Sequence, residues 1–160
     1  MPSTHLSLHY HFVFSTKDRH PFITDDWRAR LHEYLGGSIR AANAIPEAVG
    51  GTPDHVHLLV GLRATHSVAI FVQDVKQTSS SWIHKTIGVK NFLWQPGYGA
   101  FTVSVSNCGA VKEYVTNQVE HHRKKRSRRN TWNSSENTRL NTTTNICGNC
   151  FTCPGRDNGN

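Results

Sequence analysis

The sequence is poor in apolar residues, in long apolar runs and, over its first 122 residues, in cysteine and net charge. Only 36% of its 160 residues are apolar. The longest apolar stretches, such as Val56 to Val60 interrupted by His57, fall far short of the roughly 18 residues that span a bilayer. A transmembrane protein is therefore not expected. The N-terminal Met-Pro-Ser-Thr-His has neither a basic nor an apolar segment of the kind that directs export, so the expected location is cytoplasmic. The net charge of +7 is concentrated late in the chain. From Arg123 onward eight Lys and Arg face only Glu136 and Asp157, whereas the first 122 residues are close to neutral. A nucleic-acid reading from charge thus rests on the segment RKKRSRR alone, and solvated basic runs share that composition.

What the first 122 residues do have is histidine: all 11 of the chain's imidazoles lie there. Beyond His122 the text turns rich in Asn, Thr and Ser, with Trp132, Leu140, Ile146 and Phe151 as isolated apolar residues. Such a segment offers too little apolar surface to offset ordering entropy. The expected division is one domain over residues 1–125 and a disordered tail over 126–160, whose abrupt composition change resembles the product of a reading-frame shift. Cys147, Cys150 and Cys153 have the spacing of metal ligands, but the fourth ligand that zinc or an iron–sulfur run requires is missing at position 157, which is Asp157. They read as a chance cluster. Cys108, alone in the body, reads as a small buried hydrophobe.

Periodicity within the body gives the order of elements. Leu6, Leu8, Tyr10, Phe12 and Phe14 alternate with His5, Ser7, His9 and His11, as in a strand with one core face and one polar face. Thr24 opens a helix with Asp25 and Asp26 in its first turn and Trp27, Leu31, Leu35 and Ile39 at helical spacing to about Ala42; Gly36-Gly37 weakens its middle. Ile45 to Val49 reads as a strand, Gly50-Gly51-Thr52-Pro53 as a turn and Asp54 to Leu62 as a strand. Ser67 is expected to cap a second helix bearing Val68, Phe71, Val72, Val75 and Trp82 on its apolar side. A strand over Tyr98 to Val105 and a helix capped by Asn107 complete the body. The order β-α-β-β-α-β, followed by a helix, predicts an α+β, ferredoxin-like antiparallel sheet with two helices on one face. The other face is left for function or a partner.

Two features of that polar face carry chemistry. His55 and His57 share one strand parity opposite Val56, Leu58 and Val60, so two imidazoles project side by side and can share a metal. The same spacing recurs at His9 and His11, so spacing alone does not select a pair. In the last helix Val111, Val115 and Val119 form a buried seam, and Tyr114 and Gln118 run beside it on the rim of the interface. One helix then offers a phenol and, one turn further on, an amide oxygen able to complete a metal shell begun by two His. Lys17, Arg19 and Lys76 are candidates for phosphate contacts, and Trp94 and Tyr98 for base stacking, while Phe101 reads as core.

These residues resemble the single-tyrosine HUH transposases of bacterial insertion sequences and their REP-associated relatives. The resemblance runs from about His9 to Lys125, through FVFSTKDRHPF, GGTPDHVHLLVGL, VKQTSSSWIH, WQPGYGAFTVS and VKEYVTNQVEHHRK. It implies Tyr114 as the nucleophile and His55, His57 and Gln118 as ligands of Mg2+ or Mn2+. It further implies single-stranded DNA hairpin ends as substrate and a homodimer. Two other readings stand beside it. One is a non-catalytic ferredoxin-like nucleic-acid-binding module. The other is a metal-free phosphoesterase built on His5-Leu6-Ser7 and His84-Lys85-Thr86.

Overall fold

The computed structural model describes residues 5–118. Val119, the basic segment, the division at residue 125 and the three late cysteines therefore lie outside the described residues. Among the described residues no helix is long and apolar enough to cross a membrane.

The four strands β1 (Leu8–Ser15), β2 (Ile45–Thr52), β3 (His55–Leu62) and β4 (Gly99–Val103) form one antiparallel sheet in the order β2-β3-β1-β4. Helices α1 (Asp25–Ala41) and α2 (Val68–Trp82) lie between β1 and β2 and between β3 and β4 in sequence. This is the ferredoxin-like arrangement expected from the pattern. The core is the union of three stripes: Phe12, Phe14, Val56, Leu58 and Val60 of the sheet, Leu31, Leu35 and Ile39 of α1, and Phe71, Val72 and Val75 of α2. Each stripe has the period of its element, which is why burial of all three selects this register. A shift of β1 by one residue would drive His11 into the core and Phe12 out of it.

Helix α1 runs unbroken through Gly36-Gly37, because Leu35 and Ile39 on either side are fully buried and their packing outweighs the local weakness. Its end is well specified. Asn43 takes a left-handed φ of 60°, and the Ala44 amide donates back to the Ile39 carbonyl at 3.1 Å, closing a Schellman turn. Capping at the other ends differs from expectation. Neither Ser67 nor Asn107 makes a side-chain cap bond, and the Ser67 backbone carbonyl alone accepts from Phe71, at 2.9 Å.

Strand β2 is longer than the sequence indicates. Gly50, Gly51 and Thr52 belong to the strand, and the turn contracts to Pro53-Asp54. A third helix, α3 (Cys108–Thr116), crosses the sheet face opposite α1 and α2 and packs on β2 and β3. A Cβ at Gly50 would sit 1.8 Å from the Val115 carbonyl oxygen, so only glycine permits this approach. Strand β3 is consequently buried on both faces along its whole length. Of the expected seam, Val115 is fully buried and Val111 half-buried.

Candidate functional site

The turn Pro53-Asp54 sets the first part of the site. His55 opens β3, and its Nδ1 lies 2.7 Å from both Asp54 Oδ1 and Thr52 Oγ1. Asp54 Oδ2 accepts from Arg19 Nε at 2.9 Å and Nη2 at 2.8 Å. Burial alone would raise the Asp54 pKa, but the hydrogen bonds from His55, Thr52 and Arg19 outweigh it and hold the carboxyl well below its usual range. As an ionised carboxylate it can only accept, so the proton of His55 resides on Nδ1 and Nε2 is the nitrogen with a lone pair. Arg19 reaches Asp54 from a tight turn over Lys17–Arg19, in which Asp18 and Arg19 both have left-handed φ, 54° and 55°. Such backbone costs about 1 kcal/mol or more per non-glycine residue. Bonds from Thr16 Oγ1 to the His20 carbonyl and from the Asp18 amide to Gln95 Oε1 sustain it.

His57 follows on the same face, with its ring 5.0 Å from that of His55. Both imidazoles are buried beneath α3, at 2% and 1% exposure. His57 Nδ1 lies 2.8 Å from His11 Nε2, with the two rings stacked at 5.1 Å. His11 is kept neutral by burial, which lowers its pKa to about 4. Tyr114 of α3 stands edge-on to both rings, 5.6 Å from His57 and 6.1 Å from His11. Gln118 lies just past the end of α3, after Asn117 leaves helical geometry, and is 1% exposed. It is therefore inside the interface, not on its rim. Its Nε2 donates to the Tyr114 carbonyl at 3.1 Å, and its Oε1 is buried with no hydrogen-bond partner among the described residues.

The structure thus places His55 and His57 beneath α3 with the Tyr114 ring edge-on to His57, and buries Gln118 one helical turn beyond Tyr114. The donor set suits a divalent cation: two imidazoles, each with Nδ1 engaged by a neighbour, and a buried amide oxygen that lacks a donor. The resemblance did not point to His11. Its pairing with Leu59, two residues along the ladder from Val13↔His57, places it beside the site and on the same face. Spacing alone does not separate His11 from His9; the contact with His57 does.

The DNA-contact candidates divide by what holds them. Lys17 is exposed, with its Nζ 3.5 Å from the still more exposed Asp18 carboxylate. Arg19 is engaged by Asp54. Lys76 Nζ donates to the Gln95 and Gly97 carbonyls at 2.6 and 2.9 Å, and burial lowers its pKa. Trp94 meets Phe14 and Phe92 edge-on at 4.8 Å each and donates to Ser79 Oγ at 3.0 Å. Lys76 and Trp94 therefore secure the loop before β4. Tyr98 is exposed. Phe101 is also 41% exposed, contrary to the core reading, because it pairs with His11 in the sheet and shares its face. Cys108 is half-buried at the start of α3, not a core residue. His84, in the turn after α2, bonds the Phe92 carbonyl at 2.7 Å, and His5 is exposed near the N-terminus, so the two His-x-Ser/Thr segments do not face each other across the sheet.

A four-stranded ferredoxin-like sheet whose central strands offer histidines to a tyrosine-bearing helix defines the class of fold and site, and comparison with known proteins gives the family. Residues 4–118 match the family model described as Transposase IS200 like, and the chain belongs to that family. It is 27% identical over 118 residues to the ISDra2 transposase TnpA of Deinococcus radiodurans, a match covering 69% of this chain and 84% of the relative. A Deinococcus radiodurans crystal structure assigned to a transposase superposes with a TM-score of 0.59 at 27% identity, covering 74% of this chain and 95% of that one. The structure of a REP-associated tyrosine transposase bound to a REP hairpin shares the fold, with a TM-score of 0.56 at 14% identity over 76% of this chain and 73% of that one.

Proposed function

We propose that this transposase cleaves and rejoins single-stranded DNA at hairpin ends through a covalent 5′-phosphotyrosine on Tyr114, as a homodimer. The observation that carries the proposal is the convergence of Tyr114 with His55, His57 and the orphaned Gln118 Oε1 in one interface. His55, His57 and Gln118 would hold Mg2+ or Mn2+, which supplies charge to the phosphate oxygens as the reaction adds negative charge there.

The remaining steps belong to the chain. Tyr114 Oη attacks phosphorus, a tyrosine–phosphorus ester forms, and the bond from phosphorus to the 3′-oxygen breaks to leave a 3′-hydroxyl. One phosphoester replaces another, so the 3′-hydroxyl of a second strand can reverse the step and join DNA without a nucleotide cofactor. A phenol is a weak nucleophile at neutral pH, with an unperturbed pKa near 10. Its placement matters correspondingly, and the edge contacts with His57 and His11 fix the ring. Asp54 fixes the His55 tautomer, and Arg19 fixes Asp54. Lys17 is placed to meet backbone phosphate, and the exposed Tyr98 and Phe101 offer faces for unpaired bases. Arg19, Lys76 and Trp94 act as positioning residues for the two loops that flank the site.

Incubation with a single-stranded DNA hairpin and Mn2+, followed by denaturing electrophoresis, tests the proposal. A protein–DNA adduct is expected for the native chain and none for Tyr114→Phe, with hairpin binding retained in both. A wild-type level of adduct in Tyr114→Phe would move the nucleophile to another residue, and binding without adduct in the native chain would favour a non-catalytic binding module.

A further inference from the structure

A second group of ligating side chains lies on the same sheet face as the site above, at the far end of α3. His9 of β1, Glu47 of β2 and Cys108 at the first position of α3 bring Nδ1, a carboxylate oxygen and Sγ within 4.8 Å of one another. They come from three elements, and the fold makes room for each. Glu47 is the extra residue of a β-bulge between Pro46 and Ala48, which takes it out of the regular ladder. Gly61 of β3 pairs with both His9 and Ile45, and its Cβ position lies 3.4 Å from Glu47 Oε1 and 3.9 Å from His9 Nδ1, so this glycine lines the group. His9 Nδ1 is buried and 2.5 Å from Glu47 Oε1, yet without the alignment of a hydrogen bond. A buried ring nitrogen beside a carboxylate and a thiol, unaligned for hydrogen bonding, is an arrangement that a shared cation satisfies.

We propose that His9, Glu47 and Cys108, with water in the fourth position, bind a thiophilic divalent cation of the Zn2+ class, which ties the start of α3 to the sheet. The mixed nitrogen, oxygen and sulfur set argues for Zn2+ over the Mg2+ or Mn2+ suited to His55, His57 and Gln118, since a thiol ligand is foreign to hard cations. Zinc–ligand bonds of about 2.0–2.3 Å put tetrahedral ligand atoms about 3.3–3.8 Å apart, so binding requires the Cys108 side chain to close in by about an ångström and the His9 Nδ1 and Glu47 Oε1 pair, 2.5 Å apart, to open by a similar amount. Binding exchanges the Cys108 thiol bond to the Ser104 carbonyl, 3.4 Å, for a thiolate–metal bond, with the proton released to solvent. Burial and the Glu47 charge raise the pKa of the metal-free thiol, so without the cation Cys108 keeps its proton.

The mechanical consequence concerns Tyr114. Apolar packing anchors α3 through Val115, while Val105 just before the helix is 66% exposed and a Cβ at Gly109 would touch nothing. The anchored end of α3 is thus its C-terminal turn, and the cation supplies a second anchor at the other end. Two anchors limit rotation of the helix about its axis, which is the motion that would swing Tyr114 away from His57.

The test uses the full chain with Cys147, Cys150 and Cys153 replaced by Ser, so that Cys108 is its sole thiol, and Co2+ as a spectroscopic stand-in for Zn2+. A thiolate-to-Co2+ charge-transfer band is expected, displaced by Zn2+. Co2+ at His55, His57 and Gln118 has no sulfur ligand and cannot produce that band. The band should vanish in Cys108→Ser, and His9→Ala and Glu47→Gln should each weaken Co2+ affinity by about 10-fold or more. Tyr114→Phe should keep the band whatever the adduct assay shows, which separates this inference from the proposed activity. Amide exchange over residues 108–112 should slow on Zn2+ addition in the sole-thiol protein and not in its Cys108→Ser form. Absence of the band in the sole-thiol protein, or unchanged affinity in both His9→Ala and Glu47→Gln, overturns the site.

Discussion

Replacing Gly50 by Ala adds a single carbon at the point where α3 rests on β2. That carbon would lie 1.8 Å from the Val115 carbonyl oxygen and 2.8 Å from its carbon, whereas real Cβ atoms essentially never come within 3.0 Å of another heavy atom. The helix must therefore retreat by at least the difference, about 1.2 Å. The obstacle is backbone on both sides, so no rotamer change relieves it. Overpacking of this kind costs typically about 1–3 kcal/mol. The larger effect falls on chemistry, because Val115 is the neighbour of Tyr114 and the phenol moves with it. A displacement near 1 Å at a reacting group can cost about 100-fold in rate. Gly50→Ala is thus expected to slow adduct formation on hairpin DNA by about two orders of magnitude while circular dichroism still reports a folded sheet. Gly37→Ala, where a Cβ meets nothing within 4 Å in mid-helix, is the matched control and should gain up to about 1 kcal/mol with no change in adduct rate. A native adduct rate in Gly50→Ala, with α3 intact, would show that Tyr114 is not held by this contact.

Three further perturbations address the surroundings of the His pair and the core. His11→Ala removes the partner of His57 Nδ1 and one wall of the Tyr114 ring, and should raise the Mn2+ concentration needed for half-maximal adduct formation by about 10-fold or more; an unchanged Mn2+ titration would reduce His11 to packing. Asp54→Asn takes away the carboxylate that fixes the His55 tautomer and receives Arg19, so a loss of about 10–100-fold in activity at limiting Mn2+ is expected, and full activity would show that Thr52 alone orients His55. Burial, with the Arg28 guanidinium nearby, lowers the His32 pKa from 6.5 to about 4, so between those values the unfolded chain binds more protons than the native one. Native stability is complete above pH 6.5 and falls as pH drops toward 4, by about 3 kcal/mol at most and nearer 1–2 kcal/mol given partial solvation of the ring. Chemical denaturation of His32→Leu should show a shallower loss over that window, and parallel profiles would refute the assignment.

The fold was legible because its elements differ in period. Alternation at Phe12 and Phe14, and a 3-4 spacing at Leu31, Leu35 and Ile39, each admit one burial solution, and the element order then limits the sheet topology. What escaped the sequence was set by contacts between elements. Gly50-Gly51 has the composition of a turn, and only the approach of α3 shows why glycine is needed within a strand. Cap residues have the expected types at Ser67 and Asn107 but make no side-chain caps: the Ser67 carbonyl accepts from the Phe71 amide, and Asn107 is already in helical geometry at the end of a tight turn over Val105–Asn107 that runs into α3.

The site divides along the same line. His55 and His57 stand out by their place on an apolar strand, and Tyr114 by its offset from the valine seam; these are properties of single elements. His11 has no local mark that separates it from His9, since the two share a strand, a face and a residue type. Their environments diverge only through what faces them. His11 meets His57 across β1 and β3, whereas His9, one strand repeat away, meets a bulged Glu47 and the first residue of α3. Phe101 is decided the same way: its register with His11 puts it on the site face, and the edge position of β4 leaves it uncovered there. One strand face thus carries two histidines into two chemistries, and the partition is made by a single bulge in β2 and by where α3 begins, neither of which leaves a periodic trace in the chain.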